Sequence, residues 1–201
     1  MSDLFSLEET ADGGLSSATG LLCGIDEAGR GPLAGPVAAA AVILPTDFPL
    51  ELLGDSKALS RTARERAFAL ITEKTIWWVD WAWPAEIDRL NILGATMLAM
   101  QRAFRGLQVM PSLVLVDGNK TPVLPCPCRA VIKGDATVPA IMAASILAKV
   151  ARDRAMERYD WLYPEYGYGG HKGYPTAAHR AVCRTIGPSP IQRMSFNYMK
   201  E

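Results

Sequence analysis

The stretch GIDEAGRGPLAGPVAAAAVIL, residues 24–44, decides the fold. It opens inside an apolar segment, 21–26, that ends in two adjacent carboxylates, Asp26 and Glu27. A turn follows that is nearly bare of large side chains, with Gly29, Gly31, Pro32 and Gly35 around the guanidinium of Arg30. Such clusters of glycine and proline punctuate a chain between regular elements. Residues 37–44 are then apolar without a break, the pattern of a strand buried on both faces. The two segments are predicted to form a hairpin whose first strand delivers acid to the turn.

Working outward, Ser60 can cap a helix over roughly 61–75. TIWWVDWAW (75–83) is aromatic and β-branched and reads as a strand, with Trp77, Val79, Trp81 and Trp83 on one face. Packing in the core explains that face better than stacking on bases. Pro84 suits a first helical position, and 84–105 reads as helix in two pieces meeting near Asn91. SLVLVDG (112–118) and RAVIKGD (129–135) are two further apolar runs ending in acid. Residues 138–157 form a long helix with Ala144, Ala148, Ala151 and Ala155 as a small-residue stripe. A loop at 164–176 leads to a shorter helix from about 176 to 186, and the C-terminal stretch has room for one more. The expected class is α/β, a mixed sheet flanked by helices, with a helical C-terminal region from about 158 to 201.

The bulk numbers bound the function. The chain's 201 residues suffice for one substantial domain. No apolar run reaches the ~20 residues of a membrane helix, and no secretory signal opens the chain. A cytoplasmic protein with no membrane partner is expected, its four cysteines reduced. The Cys126-Pro127-Cys128 spacing does not suit zinc. Formal charge is zero, so bulk charge neither demands nor excludes a polyanion partner. Residues 1–20 are polar and read as a flexible tail; within it Asp3–Leu7 resembles peptides that dock on sliding clamps, although a stray apolar patch in a tail explains it better.

Three separate apolar runs end in acid, at Asp26-Glu27, Asp117 and Asp135. Strand ends are where ligand sites gather in α/β sheets. Carboxylates brought together there raise each other's pKa, and a hard divalent ion relieves that cost with oxygen ligands. Mn²⁺ or Mg²⁺ is the expected cofactor, and metal-dependent hydrolysis of a phosphate ester the expected reaction class. A single such acid would read better as a solvated strand end or, for Asp135, as a cap of the long helix; it is the recurrence over three runs that points to metal. The Gly29-Arg30-Gly31 stretch lets a ligand approach the backbone, where a ribose 2′-hydroxyl could bond and Arg30 could clamp a phosphate. The same residues also suit an ordinary hairpin turn.

These segments resemble the ribonuclease HII family. The likeness is carried by GIDEAGRGPLAGPV (24–37), GDSKALS (54–60), NILGATMLAM (91–100), LVLVDGNK (113–120), KGDATVPAIMAASILAKVARD (133–153) and YGGHKGYPTAAH (168–179). The resemblance implies a ribonuclease H-like catalytic domain over 21–201. It implies cleavage of the RNA strand of RNA–DNA hybrids and incision at single ribonucleotides in duplex DNA, leaving 5′-phosphate and 3′-hydroxyl ends. Asp26, Glu27, Asp117 and Asp135 match the family's metal-binding acids; Gly29, Arg30 and Gly31 match the tripeptide that reads the 2′-hydroxyl. Tyr174 matches the tyrosine that stacks on the following sugar. Lys57, Lys149 and Lys172 are candidate phosphate contacts. Asp153 is expected to support the site or pair with Arg152 or Arg154; His171 and His179 read as loop and helix-surface residues. A monomer is expected. The competing readings are a metal phosphoesterase acting on small molecules and a non-catalytic nucleic-acid binding module.

Overall fold

The computed structural model describes residues 7–9, 15–17, 20–54, 56 and 59–199. Two short strands, β1 (Leu7–Glu9) and β2 (Leu15–Ser17), pair antiparallel in the N-terminal segment. Lys57 and, apart from Leu7, the Asp3–Leu7 peptide lie outside the described residues.

The hairpin forms as the sequence predicts. β3 (Leu22–Ala28) pairs antiparallel with β4 (Val37–Ile43), and every residue of β4 is buried. β5 (Ile76–Ala82) adds antiparallel to β4; β6 (Leu113–Asp117) and β7 (Cys128–Val131) add in parallel on the other side of β3. The order is β5-β4-β3-β6-β7, a mixed sheet with the acid-bearing strands β3 and β6 side by side.

The helices cover both faces. Helix α1 (Arg61–Lys74) starts at Ser60, whose side chain accepts from the Ala63 amide. Helix α2 (Pro84–Gly106) is broken at Asn91, which has φ 57° and accepts through Oδ1 from the amides of Leu93 and Gly94. After β7 come a single turn, α3 (Gly134–Thr137), and the long helix α4 (Pro139–Leu162). The C-terminal part adds α5 (Tyr168–His171) and α6 (Ala177–Ile186). No further helix follows in the described residues 187–199, where the expected last helix is replaced by turns.

Side-chain alternation on β4 divides the core. Val37, Ala39, Ala41 and Ile43 pack with α2 residues such as Ala95, Ala99 and Met100. Ala40 and Val42 pack with Ala144, Ile146, Leu147 and Ala148 of α4 and Ile71 of α1. Alanine-rich β4 lets these helices lie close to the sheet. On β3 the approach is closer still. A Cβ on Gly24 would stand 2.2 Å from the Ala140 carbonyl carbon, so glycine there lets the start of α4 rest on the strand, two residues before Asp26.

Three expectations need correction. Trp83 is not part of the β5 face; it precedes α2, is 46% exposed and stacks on Trp81. Trp77 and Val79 do pack against the core. β7 is an edge strand with exposed residues, not a buried run, and Asp135 lies beyond it in α3 rather than at its end. Ala151 and Ala155 are only half-buried, so the small-residue stripe of α4 packs closely through Ala144 and Ala148 alone.

Candidate active site

Parallel pairing of β3 with β6 matches Ile25 to Val116, so Asp26 and Asp117 leave the sheet together. Asp135 arrives by a different route. Lys133 takes a left-handed conformation, φ 57°, which turns the chain into α3. The Asp135 amide then donates to Asp117 Oδ1 at 3.2 Å. Carboxylate oxygens of Asp26, Asp117 and Asp135 lie within 4.8 Å of one another. Asp135 thus belongs to the cluster and does not cap α4, whose capping position is Val138.

Asp26 is only 4% exposed. Burial, and then the charges of Glu27 and Asp117, hold its carboxyl well above the usual carboxylate range; the Ser145 hydroxyl and the Glu27 amide work against that shift by donating to it. Ser145, from α4, is itself bonded to Ser56 at 2.8 Å. Glu27 lines the same cleft beside the cluster and accepts from Arg30 at 3.2 Å. Three carboxylates from three elements, one of them buried at an energetic cost, form an oxygen-donor set suited to a hard divalent cation.

The cluster opens into a cleft of about 540 Å³ lined by Gly29, Arg30, Gly31, Arg64, Lys149 and Tyr174, among others. Tyr174 is 44% exposed, and its ring lies over Gly31, where an added Cβ would stand 3.5 Å from Cε1. Lys149 donates to Asp153 at 2.8 Å. This replaces the expected pairing of Asp153 with Arg152 or Arg154, because Asp153 sits one turn beyond Lys149 on α4 while Arg154 faces Glu65. Lys172 stands apart, in a neighbouring cleft, bonded to Glu157 at 3.1 Å. Arg64 lines both clefts and is fixed by donating to the Ser56 and Leu59 carbonyls.

His179 is wholly buried rather than on a helix surface. Its ring stacks on His171 at 4.4 Å, and its Nδ1 bonds the Tyr174 carbonyl at 3.0 Å. His171 Nδ1 accepts from the Gly173 amide. The histidines therefore fix the loop that carries Tyr174.

Sequence reasoning missed Ser56, Arg64, Arg152 and Arg193. Ser56 carries no local signal. Arg152 and Arg193 are closed off from solvent, and both bond the backbone of the 29–36 turn. The bareness of that turn has a cause of its own in Arg152 and α4. A Cβ on Gly29, at φ +97°, would stand 1.9 Å from Arg152 Nε, and one on Gly35 2.5 Å from Met156 Sδ. Gly31 differs: a Cβ there would meet only the Tyr174 ring, at 3.5 Å.

The chain is similar to known proteins in sequence and in fold. The family model for ribonuclease HII matches residues 23–199. The ribonuclease HII of Laribacter hongkongensis is 58% identical over 182 residues, covering 89% of this chain and 92% of its own length. That of Azoarcus sp. is 56% identical, covering 90% and 89%. The structure of the PCNA:RNase HII complex from Archaeoglobus fulgidus matches with a TM-score of 0.73 at 26% identity, over 87% of this chain and 94% of that one. On the family match over residues 23–199 and these relatives, the chain belongs to the ribonuclease HII family and is a ribonuclease H hydrolase.

Proposed function

We propose that this protein is an endonuclease that hydrolyses the RNA strand of RNA–DNA hybrids and incises duplex DNA at single ribonucleotides, leaving 5′-phosphate and 3′-hydroxyl ends. The observation that carries the reading is the meeting of Asp26, Asp117 and Asp135 beside a cleft walled by Gly29, Arg30, Gly31 and Tyr174. The residues fit a divalent metal, because buried Asp26 is costly in its charged form until a cation stands by it. Asp26, Asp117 and Asp135, with Glu27 alongside, would hold Mn²⁺ or Mg²⁺, which would supply Lewis acidity for in-line attack of water on a phosphodiester.

The remaining roles belong to the chain itself. Amide groups of the Gly29-Arg30-Gly31 stretch read the 2′-hydroxyl, which is what separates RNA from DNA at one nucleotide. Arg30 and Lys149 contact phosphates beside the scissile bond; Lys172 and Lys57 are the further candidate phosphate contacts. Tyr174, held by its carbonyl from His179, stacks on the sugar that follows the ribonucleotide. The protein acts as a monomer in the cytoplasm, and Asp3–Leu7 docks on a sliding clamp; the Archaeoglobus relative in complex with PCNA supports that last role.

The test is cleavage of a DNA duplex carrying one ribonucleotide, with Mn²⁺ and with chelator. Cleavage is expected with metal only. Asp117→Asn should lower the rate by about 10³-fold or more, as loss of electrostatic stabilisation does elsewhere, with folding intact. Cutting at the normal rate by that variant, or efficient competition by a nucleoside monophosphate, would overturn the reading, the latter in favour of a small-molecule phosphoesterase. Duplex binding that survives metal removal without turnover would instead point to a binding module.

A further inference from the structure

Arg152 and Arg193 are the largest side chains wholly closed off from solvent, and neither forms a salt bridge among the described residues. Both charges are met by main-chain carbonyls instead. Arg193 donates to Gly29 at 2.6 Å, Arg30 at 3.0 Å, Pro32 at 2.7 Å and Gly35 at 2.8 Å. Arg152 donates to Pro36, Lys172 and Ala34. Burial and the neighbouring Arg152 charge pull Arg193 down to about 9, the sign that this placement is costly.

A trans peptide is planar, so each carbonyl points opposite to the N–H of the next residue. The chain has no cis peptide among the described residues. With the carbonyls of Gly29 and Arg30 drawn onto Arg193, the N–H groups of Arg30 and Gly31 must point the other way. The same rule is visible one step on. Pro32's carbonyl faces Arg193, and the Leu33 amide, on the opposite side, donates to the Gly173 carbonyl at 2.8 Å. For Arg30 and Gly31 the free direction is the cleft, which those residues line and Arg193 does not reach.

We propose that Arg193, supported by Arg152, is the positioning residue for ribose recognition: it holds two peptide planes so that the amides of Arg30 and Gly31 are presented to a ribonucleotide's 2′-hydroxyl. This rests on the reading of Gly29-Arg30-Gly31 given above. The guanidinium suits the task because its planar fork spans several carbonyls at once, whereas an ammonium is a compact point charge. A cation behind the peptide groups also polarises them, which makes their amides stronger donors. Arg152 ties the Tyr174 loop to the same turn through the Lys172 carbonyl and lies 6.0 Å from the Tyr174 ring centroid.

The test measures affinity for a duplex with one ribonucleotide and for the same duplex in all-DNA form, by fluorescence anisotropy with Ca²⁺ in place of Mn²⁺. Wild-type protein should prefer the ribonucleotide. Arg193→Lys should lose about fivefold or more of that preference, the worth of one misaligned hydrogen bond, with all-DNA affinity held within about twofold. Calorimetric Mn²⁺ binding and the thermal midpoint report whether the acid cluster and fold survive. Gly31→Ala is the parallel arm, since its methyl meets only ordinary contact with Tyr174. Preference kept by Arg193→Lys but lost by Gly31→Ala overturns the proposal and leaves the tripeptide reading standing. Preference kept by both, or absent from the wild type, overturns both. Should Arg193→Lys fail to fold, Arg152→Lys carries the test: reduced preference supports the proposal, and retained preference or failure to fold overturns it.

Discussion

Two charged clusters flank the 29–36 turn and are built by opposite logics. On one side, Asp26, Asp117 and Asp135 bring negative charge to within 4.8 Å. On the other, Arg152 and Arg193 bury positive charge beneath the turn. The arginines are completed by the chain itself, through carbonyls that satisfy their donors. The acids meet one another instead: the charges of Glu27 and Asp117 add to the burial that raises the Asp26 pKa. One cluster is therefore finished on folding and serves as scaffold, while the other holds electrostatic tension that a cation relieves.

That difference has a sign that stability measurements can check. The largest effect should come from Arg193→Ala, which strands several buried carbonyls; a loss of about 3 kcal/mol or more is expected in urea unfolding. Asp117→Asn should move the other way. In metal-free buffer, relief of like-charge repulsion should leave the variant as stable as the wild type or about 1 kcal/mol more so. Added Mn²⁺ should then raise the wild-type midpoint more than the variant's. Destabilisation by both variants in the absence of metal would erase the contrast. The smallest effect calibrates it. Arg61, 74% exposed, pairs with Glu157 at 3.0 Å, and Arg61→Ala should change stability by about 0.5 kcal/mol or less.

What the sequence shows of this protein follows from range. The hairpin, the break at Asn91 and the cap at Ser60 depend on residues a few positions apart, and each reads directly from the chain. The acids were legible because each follows an apolar run, although Asp135 needed the left-handed turn at Lys133 to reach its neighbours. Arg193 offered nothing to read: in the chain it is one arginine in a short stretch of mixed polarity, and its partners lie 158 to 164 residues earlier. They are also main-chain atoms, which leave no trace in side-chain identity. His179 misled for a related reason. Its burial comes from stacking on His171 and an edge-on contact with Tyr168 in the folded C-terminal region, which helical periodicity alone does not reveal.

The docking of residues 191–193 on the early turn carries a consequence for biosynthesis. The Ile191 carbonyl accepts from Gly35, the Arg193 amide donates to the Leu33 carbonyl, and Ala34 bridges to Gln192. A nascent chain leaving the ribosome can assemble sheet and acid cluster long before these residues emerge from the exit tunnel. The turn at 29–36 acquires these supports only afterwards, so the order of synthesis places the geometry of that turn after the assembly of the sheet that carries it.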